Sequence, residues 1–208
     1  MKKSIVREYA ESLIIAVILA LFVRTWVFQA FKIPTGSMKP NLLVGDHLIV
    51  NRMIFAPTVT SLERAILPGR AIRRGDVVVF KFPKDPERDF IKRVIGLPGD
   101  ELAMRRKKLH INGQPLDDVW AHYNEPASAD GQPRGDSRLE EYGPVTVPPG
   151  QYFMMGDNRD DSEDSRYWGF MPENYVKGEA LFIYFSAPEV STGWLPGVQW
   201  DRLLKRVR

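Results

Sequence analysis

From Ser12 to Phe31 the chain reads SLIIAVILALFVRTWVFQAF, twenty residues with Arg24 as the one charge. Few folds can use such a stretch. As a helix it is about 30 Å long, at about 1.5 Å per residue, which matches the hydrocarbon core of a bilayer. Its uninterrupted apolar part, Leu13 to Val23, falls short of a span by itself. Arg24 therefore has to snorkel outward, with Trp26, Phe28 and Phe31 at the interface. Two other readings compete. One is a cleavable leader with Lys2, Lys3 and Arg7 as its charged start and Phe28-Gln29-Ala30 as its cut site. The other is a buried core helix, which would have to accommodate Arg24 on one face. We read a retained anchor over residues 9–30. Lys32 and Lys39 nearly balance the cations before the anchor, so flanking charge gives little orientation.

The rest of the 208 residues suffices for one domain with a sizeable core and a smaller insertion. A net charge of +3 is only mildly basic and does not suggest a nucleic-acid binder. There is no cysteine, which excludes a thiol nucleophile, a disulfide framework and a thiolate metal site. Sixteen Pro and sixteen Gly in short clusters punctuate the chain in the manner of a β-rich fold. Strands are expected at His47–Asn51, Val77–Phe82, Asp89–Leu97, Leu109–Ile111, Val145–Val147, Tyr152–Met155 and Ala180–Ser186. The Val-Val-Val-Phe run at Val77 implies burial on both faces, and Asn112-Gly113 is the strongest hairpin signal. Residues 52–74 read as a connection with one short helix around Leu62–Leu67. Asp117 to Tyr142 reads as a polar excursion with a loosely ordered middle, Ala127–Asp136. The Arg105–Lys108 run reads as a solvated turn, and the basic end from Trp200 as a solvated terminus.

Three blocks carry the chemistry. In Pro34-Thr35-Gly36-Ser37-Met38-Lys39-Pro40 two prolines stiffen a bend that presents one serine, and a nucleophile has to be aimed before its substrate arrives. In Phe90-Ile91-Lys92-Arg93-Val94-Ile95, alternation places one cation on each of two apolar faces. A lysine there is either paired or pushed toward its neutral form, and neutral lysine is a competent base for a hydroxyl. The third block, Gly156 to Phe170, packs five carboxylates with two arginines. An EF-hand frame fails from either Asp157 or Asp160, because neither register has glycine sixth or glutamate twelfth. The remaining account is an ion-pair network, with Asp157 and Asp164 against Arg93, Arg159 or Arg166, bracing the Lys92 strand.

Those three blocks, in this order, resemble the bacterial type I signal peptidases (leader peptidases), which are membrane-anchored Ser–Lys proteases. The resemblance covers Phe31–Val50, Gly75–Asp100 and Gly156–Pro172. It implies a mainly β, antiparallel catalytic domain at residues 31–103 and 145–208. It also implies a reduced inserted β subdomain at 104–144 and one N-terminal transmembrane helix. Ser37 would be the nucleophile and Lys92 the general base. Ser162 would orient the lysine, and the Ser37 amide with the Thr35 hydroxyl would form the oxyanion hole. Arg93, Asp157, Asp164 and Arg166 would support the site. Substrate pockets would be walled by Ile33, Pro34, Met38, Leu42, Phe90 and Ile91, with Phe31, Leu48 and Val79 further back. No cofactor and no metal are implied. The partners would be secretory preproteins with small residues at −1 and −3, the lipid bilayer and, as a further candidate, the secretion translocase; no nucleic acid is among them. The place implied is the bacterial inner membrane, single-pass, with residues 1–8 inside and the catalytic domain on the outer, periplasmic face. Departures are Thr35 where serine is common, Asp161 and Glu163 in place of the usual Asn and Ala, and a short span from Asp100 to Gly156.

Other readings remain in view. A Ser–His–Asp triad would draw on His47, His110 or His122. A self-cleaving Ser–Lys repressor needs a DNA-binding domain where this chain has its apolar segment. A non-catalytic anchored β-domain would bind secreted chains without cutting them.

Overall fold

The apolar segment folds as α1 (Ile5–Phe22), continues as a five-residue π-helix (Val23–Val27) and turns directly into strand β1 (Phe28–Lys32) in this computed structural model, which describes residues 5–55, 69–124, 136–187 and 197–207. The window Arg7–Val27 is long and apolar enough to cross a membrane, and none of it is buried against the rest of the chain. Helix therefore stops short of the residue 30 expected from the sequence. Phe28 to Lys32 pair antiparallel with Asn51 to His47, and the backbone hydrogen bonds of that ladder claim residues whose apolarity reads as helix.

Seven strands form the main sheet, in the order β1, β2 (Asp46–Asn51), β11 (Val176–Ser186), β3 (Val77–Phe82), β4 (Asp85–Gly96), β9 (Gln151–Met155) and β10 (Met171–Pro172). All neighbouring pairs are antiparallel. β3 is central, and its side chains divide between two cores. Val77 and Val79 join Ile33, Met38, Leu42, Leu48 and Ile91 on one side. Val78, Phe80 and Phe82 join Val94, Met154 and Trp168 on the other. This is the two-faced burial that an unbroken apolar strand requires.

A second sheet of four strands has the order β7 (Gln114–Pro115), β6 (Lys108–Ile111), β5 (Glu101–Arg105) and β8 (Tyr142–Thr146). Leu102, Met104, Leu109 and Ile111 pack with Ile95, Phe153 and Met155 of the main sheet, forming a third core between the sheets. Arg106 and Lys107 both have positive φ and make the β5–β6 turn; Asn112 and Gly113 do the same between β6 and β7. The basic run is thus a turn. β5 itself goes unseen in the sequence, since only Leu102 and Met104 of its five residues turn inward.

The end of the chain is docked rather than solvated. Arg202 is buried and holds the buried Asp46 through two hydrogen bonds of 2.9 and 2.5 Å, and Val207 packs on the first core. An unpaired carboxylate inside β2 would be costly, and the tail supplies its partner. The short helix expected around Leu62–Leu67 lies outside the described residues, as do Lys2, Lys3 and residues 127–135 of the polar excursion.

Candidate active site

Ser37 sits in a turn closed by the Lys39 amide donating to the Gly36 carbonyl at 3.0 Å and the Leu42 amide to the Met38 carbonyl at 2.9 Å. Met38 and Leu42 are fully buried and fasten the turn to the first core. Lys92 enters from β4. Its Nζ lies 2.7 Å from Ser37 Oγ, and both residues are buried. The Thr35 hydroxyl is 3.5 Å from the same Oγ. The Ser37 amide has no acceptor among the described residues, which leaves it available to an oxyanion.

Burial pulls the Lys92 amine down to about 8, against the opposing fields of Asp164, Glu163 and Asp157. At pH 7 that raises the neutral fraction from about 0.03% to about 10%. Folding must in turn bear the depressed value. An unfolded lysine binds a proton up to its ordinary pKa of 10.5 whereas the folded one releases it near 8, so stability is penalised at neutral pH and recovers between those values. We expect Lys92→Met to unfold at a higher temperature than the native protein at pH 7, with a gain of up to about 3 kcal/mol. The gap should close as pH rises toward 10.5. Thermal unfolding in detergent at several pH values checks this; a gap that widened with pH would contradict it.

Asp157 links the strand of Lys92 to the loop of Ser37. It accepts from Arg93 Nε and Nη2 at 2.7 and 2.6 Å, with both side chains fully buried. It also accepts from Asn41 Nδ2 at 2.7 Å. One carboxylate thus ties the residue after Lys92 to the loop that carries Ser37. Asn158 adds two ties from the same loop, its amide to the Ser37 carbonyl at 3.1 Å and its Nδ2 to the Gly36 carbonyl at 3.3 Å. Gly156 is obligatory here, because a Cβ would collide with the Ser37 carbonyl and with Ser162 Oγ. Asp164 pairs with Arg166 through 2.9 and 2.8 Å contacts, and Arg166 Nη2 donates to the Arg159 carbonyl at 2.6 Å. Arg159 pairs with Asp118, and Trp120 lies against the Arg93 guanidinium.

The structure therefore brings Thr35, Ser37, Lys92, Arg93 and Asp157 together and keeps Asp164 and Arg166 as a separate buried pair close by. Ser162 is beside the turn, but its Oγ finds no hydrogen-bond partner among the described residues, Lys92 included. Ile33, Met38, Leu42, Leu48, Val79 and Ile91 share one core, with Phe31 packed against it. Pro34, Phe90 and Ile91 line an open cleft of about 420 Å³ with Ser37 and Lys92; Arg88, Asp161 and Glu163 line it as well. Phe90 belongs to the opposite core and lies 5.1 Å below the Lys92 ammonium. Asn41, Asp118 and Trp120 carry no local sequence signal, because they matter only once the third block folds onto the first two. His47 packs against Tyr184 and Phe185, and no histidine among the described residues is within hydrogen-bond reach of Ser37.

A model of the family described as "Signal peptidase, peptidase S26" matches residues 6–185, most of the chain. The chain belongs to that family. The signal peptidase I of Pseudomonas aeruginosa is 34% identical over 94% of this chain and 78% of its own length. That of Pseudomonas fluorescens is 35% identical over 98% and 81%. A probable signal peptidase I-2 of Synechocystis is 36% identical over 88% and 75%. The matched region of the signal peptidase model contains the turn, the lysine strand and the acidic loop together.

Proposed function

We propose that this protein is a membrane-anchored serine endopeptidase that removes signal peptides from exported preproteins, with Ser37 as nucleophile and Lys92 as general base. The observation that carries the reading is the 2.7 Å approach of the Lys92 amine to Ser37 Oγ inside a buried site. Neutral Lys92 accepts the Ser37 proton as Oγ attacks the scissile carbonyl carbon. The oxyanion is held by the Ser37 amide and the Thr35 hydroxyl. Lys92 then gives the proton to the departing amine of the mature protein, leaving an ester on Ser37. Water, deprotonated by Lys92, completes hydrolysis and frees the signal peptide as a carboxylate. Asp157 and Arg93 position these groups, Asp164 and Arg166 brace the wall behind them, and Ser162 has the place from which to meet Lys92 once substrate tightens the site.

The family resemblance further supports residues 31–103 and 145–208 as the catalytic body, and 104–144 as an insertion. It also supports a single-pass inner-membrane anchor with the body on the periplasmic side, where an emerging signal peptide presents its cut site. There the lipid bilayer is a constant partner and the secretion translocase a candidate one. An extended substrate would run along the edge of β4 ahead of Arg93, where β9 pairing has not begun. Its −1 and −3 side chains then point to one face, about 7 Å apart. Pro34, Phe90 and Ile91 wall the cleft, while Ile33, Met38, Leu42, Leu48, Val79 and Phe31 back it with apolar bulk that rejects larger residues by clash.

Purified protein in detergent should convert a secretory preprotein to one mature N-terminus, read by mass spectrometry; an intact preprotein would refute the reading. In the same assay Ile33→Ala should admit valine or leucine at −1 and spread the cut over neighbouring bonds, with a loss of rate of up to about sixtyfold, at about 0.8 kcal/mol for each of the three carbons removed. A single unchanged N-terminus would mean that Ile33 forms no part of that wall.

A further inference from the structure

A groove of about 930 Å³ opens where α1 passes through the π-helix into β1. Leu19, Val23, Phe28 and Ile49 are among its apolar lining, and Arg24 and Arg52 are its two charged lining residues among those described. No carboxylate lines it among the described residues. Arg52 Nη1 donates to the Thr25 carbonyl at 2.8 Å, which sets the second guanidinium beside the residue that follows Arg24. The Arg24 guanidinium has neither a hydrogen bond nor an ion pair among the described residues. Two exposed guanidiniums on one rim repel unless an anion lies between them. The geometry also fixes what kind of anion. The candidate membrane window Arg7–Val27 is uncovered by protein; with α1 read as an anchor, the groove's apolar length would face acyl chains and Arg24, near the window's end, would reach the headgroups.

We propose that this groove holds one glycerophospholipid of the leaflet on the catalytic side. Its phosphodiester lies between Arg24 and Arg52, and an acyl chain runs down the wall formed by Leu19 and Val23. Guanidinium matches phosphate by paired N–H donors as well as by charge. The lipid fills the joint between anchor and sheet and fixes the height of β1, and hence of Ser37, above the bilayer. The inference rests on α1 being a membrane anchor. Recovery of the protein in the membrane fraction tests that reading by itself and is measured first.

The test is native mass spectrometry of the full chain in mild detergent, titrated with phosphatidylglycerol, with diacylglycerol of the same chains, and with phosphatidylglycerol plus inorganic phosphate. The native protein should retain one phosphatidylglycerol and no diacylglycerol, and millimolar phosphate should not displace it. Replacing both arginines (Arg24→Gln with Arg52→Gln) should weaken retention by about 25-fold, at roughly fivefold per surface arginine. Arg24→Lys with Arg52→Lys should fall between the two, because it keeps both charges and loses the paired donors, and this separates loss of charge from misfolding. Equal retention by the glutamine variant would overturn the proposal, as would equal retention of diacylglycerol. Displacement by phosphate would overturn it too, because it would reduce the site to one for a bare anion.

Discussion

Ser37→Ala and Lys92→Ala should each abolish preprotein cleavage, by on the order of 10⁴-fold or more, as expected when one member of a nucleophile–base pair is lost. Both variants should remain folded by circular dichroism, because neither side chain anchors a core and Lys92 weighs against folding at neutral pH. Lys92→Arg should not rescue activity. A guanidinium stays protonated at any accessible pH and cannot accept the Ser37 proton. Lys92→His should also fail, since the shorter imidazole does not carry its nitrogen to the position 2.7 Å from Oγ. A Lys92→Ala enzyme with near-native turnover on a preprotein would remove the mechanism.

Asp157→Ala should destabilise the fold by about 3–5 kcal/mol, the cost of leaving one partner of a buried ion pair without its counter-charge. Arg93 would remain in the interior without the carboxylate that accepts two of its donors, and Asn41 would lose its acceptor as well. Activity should fall with stability, because the same carboxylate sets the spacing of Ser37 and Lys92. Ser162→Ala gives the contrast. Its hydroxyl makes no hydrogen bond among the described residues, so unfolding should shift by less than about 1 kcal/mol. Chemical denaturation of the two variants in detergent decides the order. An Asp157→Ala protein as stable as Ser162→Ala would show that the pair does not tie the two elements together.

The parts of this molecule that read plainly in the sequence are those where pattern and chemistry coincide locally. Val77 to Phe82 is apolar at every position but one and lies between two cores. Asn112-Gly113 turns as its residue types demand. Ser37 stands in a bend stiffened by prolines, and Lys92 is conspicuous because a cation inside an apolar strand needs a reason. What did not read plainly depends on partners far away in sequence. Phe28 to Lys32 look like the end of an anchor until Leu48 and its neighbours offer a ladder. The C-terminal tail looks solvated until Asp46 is seen to need Arg202. Asn41 and Asp118 are ordinary polar residues until the acidic loop reaches them. The family resemblance supplied roles for single residues, and at Ser162 the geometry stops short of the role implied.

The most direct test of the Ser–Lys account is kcat/KM for one preprotein measured from pH 6 to pH 10. With Lys92 acting as the neutral base, the profile should rise tenfold per pH unit and level off above about 8, the value to which burial draws its amine. Asp164→Ala should shift that midpoint to lower pH, because the Asp164 carboxylate is the strongest of the fields that hold the proton on Lys92. A midpoint between 6 and 7 that ignores Asp164→Ala would point to an imidazole instead. A profile that falls as pH rises would contradict a neutral lysine base altogether.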